Sequence, residues 1–281
     1  MVLREGSGEP LLLVHGLGGT AAVWAPVLDL LRPEREVTVL DMPGFGAAPP
    51  LPARIEPTAA NLATALHERC EELGIARPHV AGNSLGGWVA LEMGRRGWAT
   101  SVTAISPAGL WSRPLGAAPA RSGRMLLRGS RWVKLARPLL LPASHLPAAR
   151  RLAFQSIAAH PERIPPAAAR ELVFGWLDGE GYDAANRAMR EHVFDPAGYP
   201  EDVPVTIAWC ELDRLVRPPR LGRRPAGARF LVLPGVGHTP TWDDPQLVAR
   251  TLLAGSATPT DVSELGAAYT PLSSDTSAEN E

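Results

Sequence analysis

With 281 residues, 45% hydrophobic and 20% charged, and a formal net charge of −1, the chain has the composition of an ordinary globular protein. It is long enough for one large core or a core with a smaller lobe. Near-neutral charge argues against a wholesale nucleic-acid binder, and no apolar run reaches the length that crosses a bilayer. Nothing resembles a signal peptide, because the first apolar run, Leu11 to Val14, is too short. Cys70 and Cys210 lie far apart without metal spacing, which reads as two reduced core thiols in a cytoplasmic protein.

The first predicted strand is Leu11 to Val14, ending in His15-Gly16, and a helical pattern follows with Trp24, Val27, Leu28 and Leu31 on one face until Pro33. Val37 to Leu40 is the next strand, stopped by "DMPGFG". An amphipathic helix covers about Ala59 to Leu73, with Leu62, Leu66 and Cys70 on one side. Strand His79 to Gly82, helix Trp88 to Gly94 and strand Val102 to Ser106 come next. Strands alternating with helices predict a parallel sheet covered on both faces. From Ala108 to about Pro200 only helical segments broken by prolines occur. The alternation resumes with Val203 to Cys210, Ala228 to Pro234 and a last helix from Pro245 to Leu253. After Gly255 the composition shifts to Ser, Thr, Asp, Glu and Ala, the signature of a disordered tail.

Two glycine-rich turns compete for the chemistry. "GLGGTA", Gly16 to Ala21, fits a dinucleotide-binding fingerprint, with Asp41 placed where such a fold holds its ribose acid. Against it, His15 precedes the glycines, Asp41 runs into the tight turn Pro43 to Gly46, and "GNSLGG" and "GVGHTP" stay unexplained. "G-N-S-L-G", Gly82 to Gly86, instead matches a nucleophile elbow, a serine on a sharp strand-to-helix turn. A serine hydroxyl is a poor nucleophile without an adjacent base. His238, between the last strand and the last helix, is the best candidate for that base, and Asp213, just past strand Val203 to Cys210, for the acid that orients it. Glu211, Asp243 and Asp244 are rival acids. Asp243-Asp244-Pro245 suits a helix N-terminus better, where carboxylates complement the dipole. His15 reads as support for its turn, Asp41 as closing its own turn, and Asn83 as either a substrate contact or support for the elbow. The remaining histidines show no ligand spacing, so no metal and no cofactor are expected.

Taken together, "HGLGG", "DMPGFG", "GNSLGG", "ELDRLV" and "GVGHTPTWDDP" resemble the α/β-hydrolase fold family, of the lid-bearing esterase and carbon–carbon hydrolase type. The resemblance implies a mostly parallel sheet flanked by helices. Its core would be residues 1–110 and 200–255, a helical cap 111–199 and a disordered tail 256–281. It implies Ser84 as nucleophile, His238 as base and Asp213 as acid, with the backbone N–H groups of Leu17 and Leu85 as the oxyanion hole. The family carries a hairpin before its His-Gly strand; here only Val2 to Glu5 remains, so the first edge strand is expected to be missing. Carbon–carbon hydrolases of this lineage carry a tryptophan after the base, where this chain has Thr239. The expected activity is therefore cleavage of a carboxylic ester of a fairly apolar small molecule. Carbon–carbon hydrolysis or another acyl transfer is the alternative, and a dinucleotide-binding protein or a non-catalytic binding relative are the remote ones. Between Ser112 and Arg151 stand nine basic residues and no acidic one. They make a cap helix with arginines in water, a surface drawn to anionic lipid or an acidic partner, or an arginine turned toward a substrate carboxylate.

Overall fold

A computed structural model describes residues 2–116, 142–218 and 223–257. Its strands are β1 (Val2–Glu5), β2 (Glu9–Val14), β3 (Arg35–Leu40), β4 (His79–Asn83), β5 (Val102–Ile105), β6 (Val205–Cys210) and β7 (Arg229–Leu233). They form one sheet in the order β1-β3-β2-β4-β5-β6-β7, parallel except for β1, which runs antiparallel along β3. The edge is thus the four-residue strand Val2–Glu5 expected from the sequence, and no strand lies beyond it among the described residues.

The alternation of side chains along each strand sends its residues into two apolar layers. On one face, Leu12 and Val14 of β2 pack with Leu62, Leu66 and Cys70 of α2 (Ala59–Glu72) and Val89 and Leu91 of α3 (Leu85–Arg95). On the other, Leu11 and Leu13 meet Val27 and Leu31 of α1 (Ala25–Leu31) and Val248 and Leu252 of the C-terminal helix. Each of these side chains is buried, which favours the fold by roughly 1.5–3 kcal/mol apiece before entropy is counted. Both cysteines are free and buried in these layers, and burial pushes the Cys70 thiol up to about 11.

Helix starts follow local chemistry. The Thr58 hydroxyl accepts the Asn61 N–H at 3.1 Å to cap α2. α1 is preceded by a short 3₁₀ turn, Ala21–Trp24, whose first amide donates to Asp41 Oδ1 at 2.7 Å. The predicted helix Trp88 to Gly94 in fact begins at Leu85. Gly86 and Gly87 are weak helix formers that hide this turn from propensity, and packing against β2 overrides it.

Between β5 and β6 the chain leaves the sheet. Its described part holds α4 (Pro147–Phe154), a 3₁₀ turn (Pro161–Arg163), α5 (Pro166–Asp178) and α6 (Tyr182–Glu191). Because β5 and β6 are adjacent parallel strands, the chain leaves at the carboxyl end of β5 and returns at the amino end of β6, crossing from one end of the sheet to the other. Most of the basic stretch from Ser112 to Arg151 lies outside the described residues. At its end Arg150 is buried and donates to the Ser144 carbonyl at 2.8 Å, while Arg151 stands 3.7 Å from Glu162. The last helix, α7 (Pro245–Gly255), is followed by Ser256. That residue is buried and accepts from Arg35 Nε at 3.1 Å. Residues 258–281 lie outside the described ones. No helix among the described residues is long and apolar enough to cross a membrane.

Candidate active site

Ser84 sits between β4 and α3 with φ 58° and ψ −118°. A non-glycine residue in that region stores about 1–3 kcal/mol of strain, and persists only where its surroundings enforce it. The enforcement is visible. The Ser84 N–H donates to the Ile105 carbonyl at 2.9 Å, and its own carbonyl accepts from Trp88 at 3.1 Å and Ala108 at 3.0 Å. A Cβ on Gly86 would stand 2.3 Å from the Val14 carbonyl oxygen, so only glycine lets the first turn of α3 lie against the end of β2.

The elbow lies at the switch point of the sheet. The chain after β2 turns to β3 on one side, whereas β4 leads to β5 on the other, and crevices for ligands open at the carboxyl ends of strands at such a point. There the turn after β2 meets Ser84: a Cβ on Gly16 would lie 3.2 Å from Ser84 Cβ. The amides of Leu17 and Leu85 have no acceptor among the described residues, and Leu85 is the first residue of α3, where N–H groups lack helical partners. His15, fully buried, holds this turn in place. The Met42 N–H donates to its Nε2 at 2.9 Å, so its proton resides on Nδ1, which donates to the Gly16 carbonyl at 2.8 Å. Burial is the main cause that lowers its pKa, which keeps the ring neutral. Asp41 accepts from Ala21 at 2.7 Å and Ala47 at 3.1 Å, closing the neighbouring turns as expected.

His238 is buried in the loop after β7, and its Nδ1 donates to Asp213 Oδ2 at 2.7 Å. The other Asp213 oxygen accepts the amides of Leu215 at 2.8 Å and Val216 at 2.9 Å. Burial raises the Asp213 pKa, but the bond from His238 and those two amides outweigh it, and the carboxyl is held below its ordinary value. The pair is thus a charged acid holding an imidazole by Nδ1, which leaves Nε2 for another partner. Asn83 ties this pair to the elbow: its amide donates to the His238 carbonyl at 2.8 Å and to Ile105 at 3.2 Å. Of the two roles expected for Asn83, support is the one its hydrogen bonds perform.

The rival acids are engaged elsewhere. Glu211 accepts from Gly235 at 2.7 Å, and Asp244 caps α7 by accepting from Leu247 at 2.8 Å. Asp243 corrects the sequence reading, because it is turned inward rather than toward the helix terminus. Its buried carboxylate accepts from Gly237 at 2.8 Å, Ala159 at 2.9 Å and His160 at 2.7 Å. The insertion also supplies Trp176 and Tyr182, which stand edge-to-face 6.2 Å apart against Gly18. Sequence reasoning did not single out Trp176 or Tyr182, and it gave Asp243 a different place. Among the described residues no group of His, Cys, Asp or Glu is arranged to hold a metal ion.

A parallel sheet covered on both faces, with a strained serine at its switch point and a histidine–carboxylate pair on the neighbouring loops, defines an α/β-fold hydrolase. The chain matches the alpha/beta hydrolase family over residues 11–251, and it belongs to that family. It is 37% identical over 206 residues to the epoxide hydrolase EphH of Mycobacterium tuberculosis, which covers 69% of this chain and 93% of that protein. Among solved structures it resembles the enol-lactonase from Burkholderia xenovorans LB400, with TM-score 0.67, 21% identity and coverage of 90% and 94% of the two chains. It also resembles a thermophilic esterase from Thermogutta terrifontis, with TM-score 0.64, 23% identity and coverage of 90% and 91%.

Proposed function

We propose that this hydrolase cleaves carboxylic esters of fairly apolar small molecules through Ser84, His238 and Asp213. The observation that carries the reading is a serine at a strained turn whose neighbour, Asn83, grips the carbonyl of a histidine already paired to a buried carboxylate. In this reading the Ser84 hydroxyl attacks the ester carbonyl carbon while His238 Nε2 takes its proton. Asp213 stabilises the resulting imidazolium, and the N–H groups of Leu17 and Leu85 bind the oxygen that becomes negative. His238 then protonates the departing alkoxide, leaving an acyl-enzyme. Water, deprotonated by the same ring, releases the carboxylic acid and restores Ser84. Trp176 and Tyr182 place an aromatic wall one residue from Leu17, which supports an apolar acyl or alcohol group.

The relative named an epoxide hydrolase does not redirect this reading. A serine oxygen opening an epoxide would leave an ether, which offers no carbonyl for water to attack, so the enzyme would be trapped after one event. A nucleophilic carboxylate would instead leave a hydrolysable ester. The reading is tested by assaying wild type and Ser84→Ala on nitrophenyl esters of increasing chain length, a lactone and an aryl epoxide. Ester turnover that vanishes in Ser84→Ala is expected. Ser84→Ala within tenfold of wild type, or turnover of the epoxide alone, would refute it.

A further inference from the structure

We propose that Asp243 is a positioning residue for His238, and that through it the helical insertion becomes part of the support of the base. The proposal rests on the reading of His238 as the general base.

A buried carboxylate with four acceptor sites is costly to leave unpaired. Asp243 is 1% exposed and lies one turn of loop after His238. Its Oδ2 takes the N–H of Gly237, the residue before the base, and also the N–H of Ala159 from the insertion. Its Oδ1 takes the N–H of His160. One side chain therefore joins the base loop to a segment that is remote in sequence. Charge-assisted bonds of this kind are the strong ones.

The surrounding contacts agree. The Thr239 N–H, on the far side of the base, donates to the Ile157 carbonyl at 2.7 Å. Arg163 donates to the Asp243 carbonyl. A Cβ on Gly237 would stand 2.6 Å from the Ala159 nitrogen, so the loop and the insertion approach as closely as backbones can. His238 is thus held on both flanks by the insertion, and through its own carbonyl by Asn83. The ring is fixed by Asp213, while the backbone that carries the ring is fixed by Asp243. Displacement of a base by a fraction of an ångström is enough to slow proton transfer without altering what the pocket binds.

The test compares Asp243→Asn with Asp244→Asn, the same charge change one residue on at the cap of α7. Burst titration with a nitrophenyl ester counts competent sites, so that kcat is expressed per titrated serine and partial unfolding drops out. Asp243→Asn is expected to lose at least fivefold in kcat per site with KM within twofold, and to be labelled by a fluorophosphonate at least fivefold more slowly. Asp244→Asn is expected to keep both rates and to lose only thermal stability. If Asp243→Asn does not fold, Asp243→Glu, which keeps the charge and shifts the carboxylate by one methylene, takes its place with the same thresholds. A loss smaller than fivefold per titrated site, with Ser84→Ala inactive, would overturn the positioning role and leave the serine-hydrolase reading standing. An active Ser84→Ala would overturn both.

Discussion

In the proposed mechanism Asp213 sets the tautomer of His238, and both Asp213 and His15 couple stability to pH. Exchanging Asp213 for asparagine keeps the shape but favours the wrong tautomer of His238. Turnover on an activated ester is expected to fall by about 10⁴, the size of loss seen when the orienting carboxylate of a Ser-His-Asp triad becomes an amide. Asp244→Asn keeps an oxygen that can cap α7 and loses only the charge at the helix N-terminus, so it is expected to cost roughly 1 kcal/mol or less in a urea titration and little in turnover. The reverse ranking would mean that the acid is misassigned. Both shifted groups also bear on stability. The folded pKa of His15 is lowered, first by burial, so the unfolded chain takes the proton first, and stability falls as pH drops below about 6.5. Asp213 is likewise lowered; its contribution is full above about pH 4 and lost as pH falls through the folded value. A thermal midpoint that declines from pH 7.5 to 5.5, and more steeply below 4, is expected. A midpoint unchanged between 7.5 and 5.5 would contradict a buried neutral His15. The placement of Ser84, Asp213 and His238 on turns after strands was legible, because motifs of distinctive residue types follow those strands. That of Asp243 was not. Two aspartates before a proline look alike in sequence, and which one turns inward is decided by the amides of Ala159 and His160, more than eighty positions upstream.

At the scale of elements, the contact between α3 and β2 carries the elbow. Gly86→Ala would drive a methyl into the Val14 carbonyl. It is expected to cost about 2–3 kcal/mol, as overpacking does, read from the shift in a urea unfolding curve. A variant as stable as wild type would mean that α3 can move without disturbing the site. The insertion also touches the loop that carries His238. Removing residues 112–199 would take away the Ile157 carbonyl and the Ala159 and His160 amides that hold the base loop. A soluble deletion variant bridged by a short Gly/Ser linker is expected to keep the sheet and lose the chain-length profile. It should hydrolyse a short activated ester at least about tenfold more slowly, since positioning alone is worth that much. Retention of the full-length chain-length profile would show that the insertion does not shape the pocket. Strands and helices of the core were readable from their apolar spacing, and β5 and β6 could be seen to bracket an insertion. The helices within the insertion were not separable by periodicity, because they are short and their apolar faces are shared with loops of the core.

For the whole molecule, the order of strands explains why residues far apart in sequence meet. The parallel sheet brings the carboxyl ends of β2, β4, β6 and β7 to one edge, and the loops after them carry Leu17, Ser84, Asp213 and His238. That convergence was implied by the alternating pattern, whereas the register and the pairing of β1 with β3 required the folded chain. The most direct measurement is mass spectrometry of the protein after reaction with a fluorophosphonate, together with ester hydrolysis before and after. A single adduct on Ser84, with hydrolysis lost in proportion to labelling, is the predicted result. Labelling elsewhere, or full hydrolysis by protein carrying the adduct on Ser84, would contradict the assignment of Ser84 as the nucleophile.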